Sequence, residues 1–529
     1  VSDGKKLNTK ASGVIAMAVM LSRMLGLVRE VLFNALFGTV WMGVFTVAFR
    51  IPNLLRDLFA EGALSTAFIT VFSQKIEREG VQSAWALASK MMTLATVFMS
   101  AVTVLGILFA GPFVDVLAGG FKPEYKEMTI LLTQIMFPFI LLVSLAALVM
   151  GMLNSRGVFG VPALASSFFN LGSIAGGALC GWWIDPAFGE RALIGLAIGT
   201  LVGGFLQLVV QLPSLRKVGF NFRPDFKWLD PDIRRILILM VPSAIAASAV
   251  QINVLVNTSF ASHLGPAAIS WLYSAFRLMQ LPIGVFGVAV ATITLPVISR
   301  IAANPDRSQF GPTLGKALRL AAFLTMPSAV GLFFLATPII SLIYEHREFK
   351  ANDSLQTGLA LQCYALGLVF YSGIKVLSPA FYAIDRKWTP MMVSFVSIGL
   401  NVILNYIFIF HMDLGHRGLA LSTSISATVN FVFLYFLMRP HAPNFETGKL
   451  IITVVRCGIA SAALGVICVI GLQQGAPYLN GPFWQKAVFL LTIIGAGAVA
   501  YMVTCWTLRI EEMHDAVNLV LRKIRRKKS

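Results

Sequence analysis

Long apolar runs separated by short polar or basic clusters recur from residue 11 to residue 508. A bilayer core of roughly 30 Å needs about 20 apolar residues per helix. Fourteen stretches meet that length: 11–36, 41–72, 84–114, 128–153, 160–183, 192–213, 236–262, 266–298, 317–344, 355–383, 389–410, 418–438, 450–473 and 484–508. The pattern predicts an all-α polytopic membrane protein with fourteen transmembrane helices.

The connections alternate between rich and poor in Lys and Arg, as expected when basic residues favour cytoplasmic loops. The rich set runs from Lys5, Lys6 and Lys10 through Lys75 and Arg78, Arg156, Arg216 to Arg235, Arg300 to Arg319, Arg386 and Lys387, Arg439 and Lys449, to Arg509 and the tail Arg522–Lys528. The poor set holds Lys122, Lys126, Arg191, Arg347, Lys350, Arg417 and Lys486, so the contrast is 27 against 7. This places both termini in the cytoplasm and requires an even number of spans. The N-terminal apolar run is kept as the first span, because Arg23 and Arg29 stand where a signal peptide would carry small residues for cleavage.

Composition agrees. Of 529 residues 57% are apolar and 12% charged, against about 45–50% and about 25% in a soluble domain, and the mean hydropathy is +0.78. A soluble enzyme is excluded. The net charge of +18 would suit nucleic acid, but most of it lies in the loops that set topology. The basic tail reads as a juxtamembrane segment beside anionic lipid, so no nucleic-acid partner is expected. Cys180, Cys363, Cys457, Cys468 and Cys505 lie in apolar stretches without paired spacing, and the six histidines form no H-E-x-x-H, so neither disulfide nor metal is indicated. Gly311–Ala317 imitates a phosphate-binding loop, but its spacing is one short and the final Ser or Thr is missing.

The two halves repeat one another. Val31-Leu32-Phe33-Asn34 returns as Val254-Leu255-Val256-Asn257 and Ala48-Phe49-Arg50 as Ala275-Phe276-Arg277, with Pro52 and Pro282 following, at offsets of 223 and 227. The Asn154–Pro162 turn has a looser counterpart in Asp385–Pro390. Six spans per repeat is an even number, so the repeats are parallel: an N-lobe over 1–222 and a C-lobe over 223–445, followed by two extra spans over 446–510 and a basic cytoplasmic tail over 511–529. Repeats of this kind build secondary transporters, whose substrate site lies between halves near the midplane.

Eight basic residues remain within spans: Arg23, Arg29, Arg50, Arg56, Lys90, Arg277, Lys375 and Arg456. Snorkelling accounts for Lys90 and Arg456, close to cytoplasmic ends. Arg23, Arg29, Arg50 and Arg277 sit deeper, where an unpaired guanidinium costs several kcal/mol unless it faces a wet cavity or a partner. Glu30, Asp57 and Glu61 could pair with them as structural salt bridges, but three carboxylates cannot neutralise the cluster. A functional, anion-binding cavity is favoured, since the planar guanidinium matches phosphate oxygens bidentately. Arg23 and Arg29 are about 9 Å apart in rise and about 120° apart around an ideal helix, so Gly26 between them is a candidate bend. Pro52, in a span polar through Asn53, Arg56, Asp57 and Glu61, removes a backbone donor and is a candidate kink, as is Pro282. Asn170, Gln251, Asn253 and Asn257 read first as interhelical hydrogen bonds, and the runs Gly176-Gly177-Ala178 and Gly203-Gly204 as close packing.

Ser22-Arg23 through Gly26 to Arg29, Phe37-Gly38, Ala48 through Arg56, and Phe59-Ala60-Glu61-Gly62-Ala63 together resemble the N-terminal signature of the MurJ (MviN) lipid II flippase family of the MOP exporter superfamily. The likeness continues through Ser270-Trp271-Leu272-Tyr273, Arg277-Leu278-Met279, Leu281-Pro282, Gly284 to Ala289, and Lys375-Val376-Leu377 with Pro379, Phe381-Tyr382 and Thr389-Pro390. It implies a bacterial inner-membrane transporter, not an enzyme. Such a protein moves undecaprenyl-pyrophosphate-linked disaccharide-pentapeptide from the cytoplasmic to the outer leaflet by alternating access. It also implies that Arg23, Arg29, Arg56 and Arg277 hold the pyrophosphate. Arg50, Asn53, Asn170, Gln251 and Lys375, polar or basic positions within the spans, are further candidate contacts. The last two spans would form a groove for the polyprenyl tail. No cofactor is implied; the drive would be membrane potential or an ion gradient, the coupling ion unspecified. Membrane lipids and cell-wall synthesis proteins are the candidate partners. Where the family carries acids, this chain has Gly43, and Phe276 and Gln280 flank Arg277-Leu278-Met279, which makes the cavity more positive. The alternatives are another MOP-type flippase or exporter, of polysaccharide units or drugs, and a non-transporting scaffold of the cell-wall machinery.

Overall fold

A computed structural model describes residues 9–57, 64–479 and 481–514. Glu61 and the basic tail Arg522–Lys528 lie outside the described residues. By internal contacts the chain divides into two units, Val1–Ser270 and Trp271–Ser529. The described residues are helical, joined by turns and short extended links, without strands. The first unit holds α1 (Thr9–Leu55), α2 (Ser65–Glu79), α3 (Val81–Leu108), α4 (Ala110–Leu117), α5 (Pro123–Met136), α6 (Phe139–Ser155), α7 (Gly160–Ile184), α8 (Ala192–Val209), α9 (Leu212–Lys217) and α10 (Pro231–Ser262). α11 (Pro266–Pro282) crosses the division. The second unit continues with α12 (Val288–Ala303), α13 (Phe310–Phe334), α14 (Ala336–Tyr344), α15 (Ala351–Ala365), α16 (Leu368–Ala383), α17 (Trp388–Phe410), α18 (Gly415–Met438), α19 (Thr447–Gln474), α20 (Ala476–Leu479) and α21 (Phe483–Thr507).

Among the described residues eleven helical segments are long and apolar enough to cross a membrane, or twelve when α15 and α16, bent by 47°, are taken as one span. The chain is thus an all-α, multi-pass membrane protein. Within α1, 47 residues long, the backbone leaves helical values at Gly38, with φ 71° and ψ 171°. Gly accepts that left-handed φ without a Cβ penalty. The break therefore falls at Gly38, whereas the backbone at Gly26 stays helical.

α7 and α8 approach as closely as their glycines allow: a Cβ on Gly199 would stand 2.1 Å from the Gly177 nitrogen. With no hydrophobic drive between helices in lipid, such backbone contact supplies the packing. It fixes α7, which carries Phe169 and Asn170. Beneath α2 and α3 an apolar cluster of Phe68, Phe72, Trp85, Met91, Met152 and Phe220 is almost fully buried.

Two basic residues take partners that their positions in the sequence did not reveal. The Lys90 ammonium meets Asp230 at 2.5 Å, just ahead of α10, while Lys75 meets Asp232 at 2.5 Å. Asp230 also caps α10, its other oxygen accepting from the Asp232 N–H. Burial pushes the Asp230 carboxyl up, but the Lys90 hydrogen bond and the Asp232 N–H outweigh it and hold it below the usual aspartate range. A carboxyl depressed in the fold stabilises above its unfolded pKa, and that contribution is lost as pH falls through the folded value, below about pH 4. Thermal melts should therefore show no loss from this pair at neutral pH. Lys90→Met, which strands Asp230, is expected to cost about 1.5–3 kcal/mol; an unchanged melting temperature would contradict the pairing. Arg456, exposed, donates to the Arg509 carbonyl at 3.4 Å. Arg319, read as a loop residue, lies inside α13 and is 4% exposed.

Candidate anion site

α1 presents Arg23, exposed, and Arg29, half-buried, on either side of buried Gly26. α7 meets this stretch at two adjacent residues. The Asn170 amide donates to the Ser22 carbonyl at 3.0 Å, and the Arg29 guanidinium lies over the Phe169 ring, 5.1 Å from its centroid. Phe169 is itself held by Phe139 at 5.5 Å, and Phe139 by Phe49 at 5.3 Å. This aromatic column runs to the neighbour of Arg50, which is half-buried. Stacking occupies the face of a guanidinium and leaves its in-plane edge to hydrogen-bond, the edge that matches phosphate oxygens.

A second group forms further along. Pro52 is buried within α1, and the backbone widens to a π-helical turn at Arg56 and Asp57. Arg56 donates to Asp57 Oδ1 through Nε at 3.1 Å and Nη2 at 2.8 Å, while the Gln251 amide of α10 donates to Asp57 Oδ2 at 3.0 Å. Arg56 is thus charge-compensated by Asp57, a carboxylate weighed above as a partner for the deeper arginines, and Gln251 contacts the carboxylate rather than an arginine. Asn53 is half-buried on the turn between them.

In the second unit Arg277, half-buried, precedes Pro282, and the chain then forms a π-helical turn over Ile283–Gly287. The sequence repeat is therefore a repeat of geometry: arginine, proline, then a widened turn that frees backbone groups, a feature frequent at functional sites. Proline spacing could have signalled a kink, but not its π form. Against this turn packs α16: a Cβ on Gly287 would stand 3.0 Å from Ser372 Oγ. Lys375, one turn on, is exposed.

The departures from the family pattern have structural counterparts. A Cβ on Gly43 would lie 1.9 Å from the Pro266 carbonyl oxygen, so no side chain fits there. Phe276 packs its ring on Tyr364 at 5.4 Å, an apolar contact in place of a carboxylate, and Gln280 is exposed. α17 and α18 share a buried amide–hydroxyl cluster that residue types alone do not mark: Asn405 donates to Asn401 at 3.2 Å, Asn401 to Ser422 at 3.2 Å, and Ser422 to Asn405. The two asparagines stand four apart on α17, the only signal available. Among the described residues no group of three His, Cys, Asp or Glu is placed to hold a metal. Between α13 and α19 lies an apolar groove of about 420 Å³, lined by Val330, Phe334, Gly458, Gly465, Val466 and Ile470.

Residues 33–489 match the family model described as lipid II flippase MurJ. The chain belongs to the lipid II flippase MurJ family. A probable lipid II flippase MurJ of Vibrio cholerae is 35% identical over 93% of this chain and 94% of its own length. A lipid II flippase MurJ of Burkholderia cenocepacia is 35% identical over 79% of this chain and 81% of its own. A solved MurJ structure, described as inward closed, superposes with a TM-score of 0.77 at 28% identity, covering 94% of this chain and 98% of that one. A multidrug MATE transporter of the MOP superfamily, inward-facing, superposes with a TM-score of 0.66 at 16% identity over 80% of this chain and 97% of its own; at that identity the likeness is one of fold. The MurJ assignment drawn from the motifs agrees with these matches.

Proposed function

We propose that this chain flips lipid II from the cytoplasmic to the periplasmic leaflet of a bacterial inner membrane by alternating access. Arg23, Arg29, Arg56 and Arg277 serve as cationic contacts for the pyrophosphate. The observation that carries the reading is the match to lipid II flippase relatives along nearly the whole chain. The arginine assignment is supported by Arg29 on Phe169, with its neighbour Asn170 pinning α7 to α1 beside Arg23. Arg50, Asn53, Asn170 and Lys375 play secondary roles in binding or positioning, and Gln251 acts through Asp57. The α13–α19 groove takes the polyprenyl tail.

Fourteen spans follow if α1, about 70 Å long at 1.5 Å per residue, is divided at Gly38 and α10 is counted with the twelve. That even number keeps both termini cytoplasmic. Membrane potential or an ion gradient drives the cycle. Competition binding to the purified protein tests the pyrophosphate assignment: undecaprenyl pyrophosphate should displace labelled lipid II at least tenfold better than uncharged undecaprenol. Equal displacement by the two would overturn it.

A further inference from the structure

The apolar groove between α13 and α19 has its walls joined by a buried charge cluster around Arg319 of α13. The Arg319 guanidinium uses each of its nitrogens. Nε donates to Glu512 at 2.7 Å, Nη1 donates to Glu446 at 3.0 Å, and Nη2 stands 3.8 Å from Glu511. Its side chain is 5% exposed and that of Glu512 2%. Glu446 immediately precedes α19, and Glu511 and Glu512 follow α21, so one residue of α13 gathers the start of α19 and the end of α21. The second oxygen of Glu512 is buried with no hydrogen-bond partner among the described residues. Arg319 is the cation that its other oxygen meets.

One turn further along α13 the Tyr501 hydroxyl of α21 donates to the Phe323 carbonyl at 2.7 Å. Beyond it the contacts are apolar: Phe323, Leu335, Cys457, Leu464, Cys468 and Ile493. With no hydrophobic drive between helices in lipid, their separation is set by van der Waals packing together with interhelical polar contacts, and on this face of α13 the charged contacts gather at Arg319. At the groove itself a Cβ on Gly465 would reach 2.9 Å from the Phe334 ring, so a small shift of α19 against α13 closes or opens the space.

We infer that Arg319 is a positioning residue that sets the α13–α19 separation, and through it the groove's selectivity for a long apolar chain. The assignment of a polyprenyl tail to the groove rests on the function proposed above; the fixing of the helix separation does not. Arg319 touches no substrate. Its effect is on the affinity for the tail and not on the pyrophosphate contacts.

The test uses Arg319→Met combined with Glu512→Gln, so that no buried charge is stranded, alongside Arg319→Lys. In proteoliposomes, transport of lipid II with its full-length tail is compared with that of an analogue carrying a three-isoprene tail. The double variant should raise KM for the long-tailed substrate at least fivefold and leave kcat and the short-tailed KM unchanged, with Arg319→Lys intermediate. Equal losses on both substrates, or none, would overturn the selectivity role. Independently, spin labels at Ser328 and Val466 in a cysteine-free background should give one narrow distance in the parent and a broadened distribution in the double variant. An unchanged distribution overturns the positioning role itself. A broadened distribution in a protein whose parent shows no tail-length preference supports positioning and overturns the tail assignment alone.

Discussion

Arg29→Ala is expected to abolish growth of a flippase-depleted bacterium that depends on this chain, with the protein still inserted and folded. Arg29 lies on Phe169, and Phe169 is backed by Phe139 and Phe49, so the guanidinium is held in orientation before any ligand arrives. A charge-assisted hydrogen bond contributes about 1.5–3 kcal/mol. Losing a bidentate phosphate contact of about 3 kcal/mol or more lowers affinity by over 100-fold. Arg29→Lys retains charge without the planar fork, so partial rescue at best is expected. The check is complementation with membrane levels measured in parallel. Full rescue by alanine at parental levels would remove Arg29 from the site.

Gly43→Asp should act through sterics. The resemblance implies an acid at this position, but here the Gly43 Cα faces the Pro266 carbonyl, and a Cβ would stand 1.9 Å from its oxygen. Backbone atoms cannot step aside as a side-chain tip can, so the helices must part. Two flanking contacts resist this: Ser270 donates to Asn34 at 3.1 Å, and the Gly120 N–H donates to Ser262 at 3.1 Å. Overpacking of this kind costs about 1–3 kcal/mol or more. A lowered melting temperature in detergent is expected, with Gly43→Ala showing most of the loss because the clash begins at Cβ. A melting temperature unmoved by both substitutions would contradict the close approach.

Helix existence was legible from apolar run length, because lipid leaves the backbone few alternatives to helix. The MurJ family was legible in the arginine, proline and glycine motifs. Pairing was not. Nothing in the sequence spacing of Lys90 and Asp230 signals an ion pair, since a contact 140 residues apart depends on the packing of α3 against the chain ahead of α10. Arg319 looked like one more loop cation because its three carboxylates come from distant segments. Gly26 and Gly38 illustrate the same limit: both are glycines in apolar surroundings, and only the backbone shows that Gly38 takes the left-handed φ. At the candidate site, residue types pointed to an anion. The stack of Arg29 on Phe169 and the compensation of Arg56 by Asp57 are tertiary facts that grade the arginines differently.

A chain that moves lipid II across the membrane changes how much of it stands at the outer leaflet. The most direct measurement is the amount of lipid II accessible at the outer leaflet of flippase-depleted cells, read by an enzyme that cleaves only externally exposed lipid II, with and without expression of this protein. Expression should restore accessible lipid II to near parental amounts, and the Arg29→Ala variant should not. Accessibility that stays at the depleted level with the protein inserted in the membrane would contradict the account.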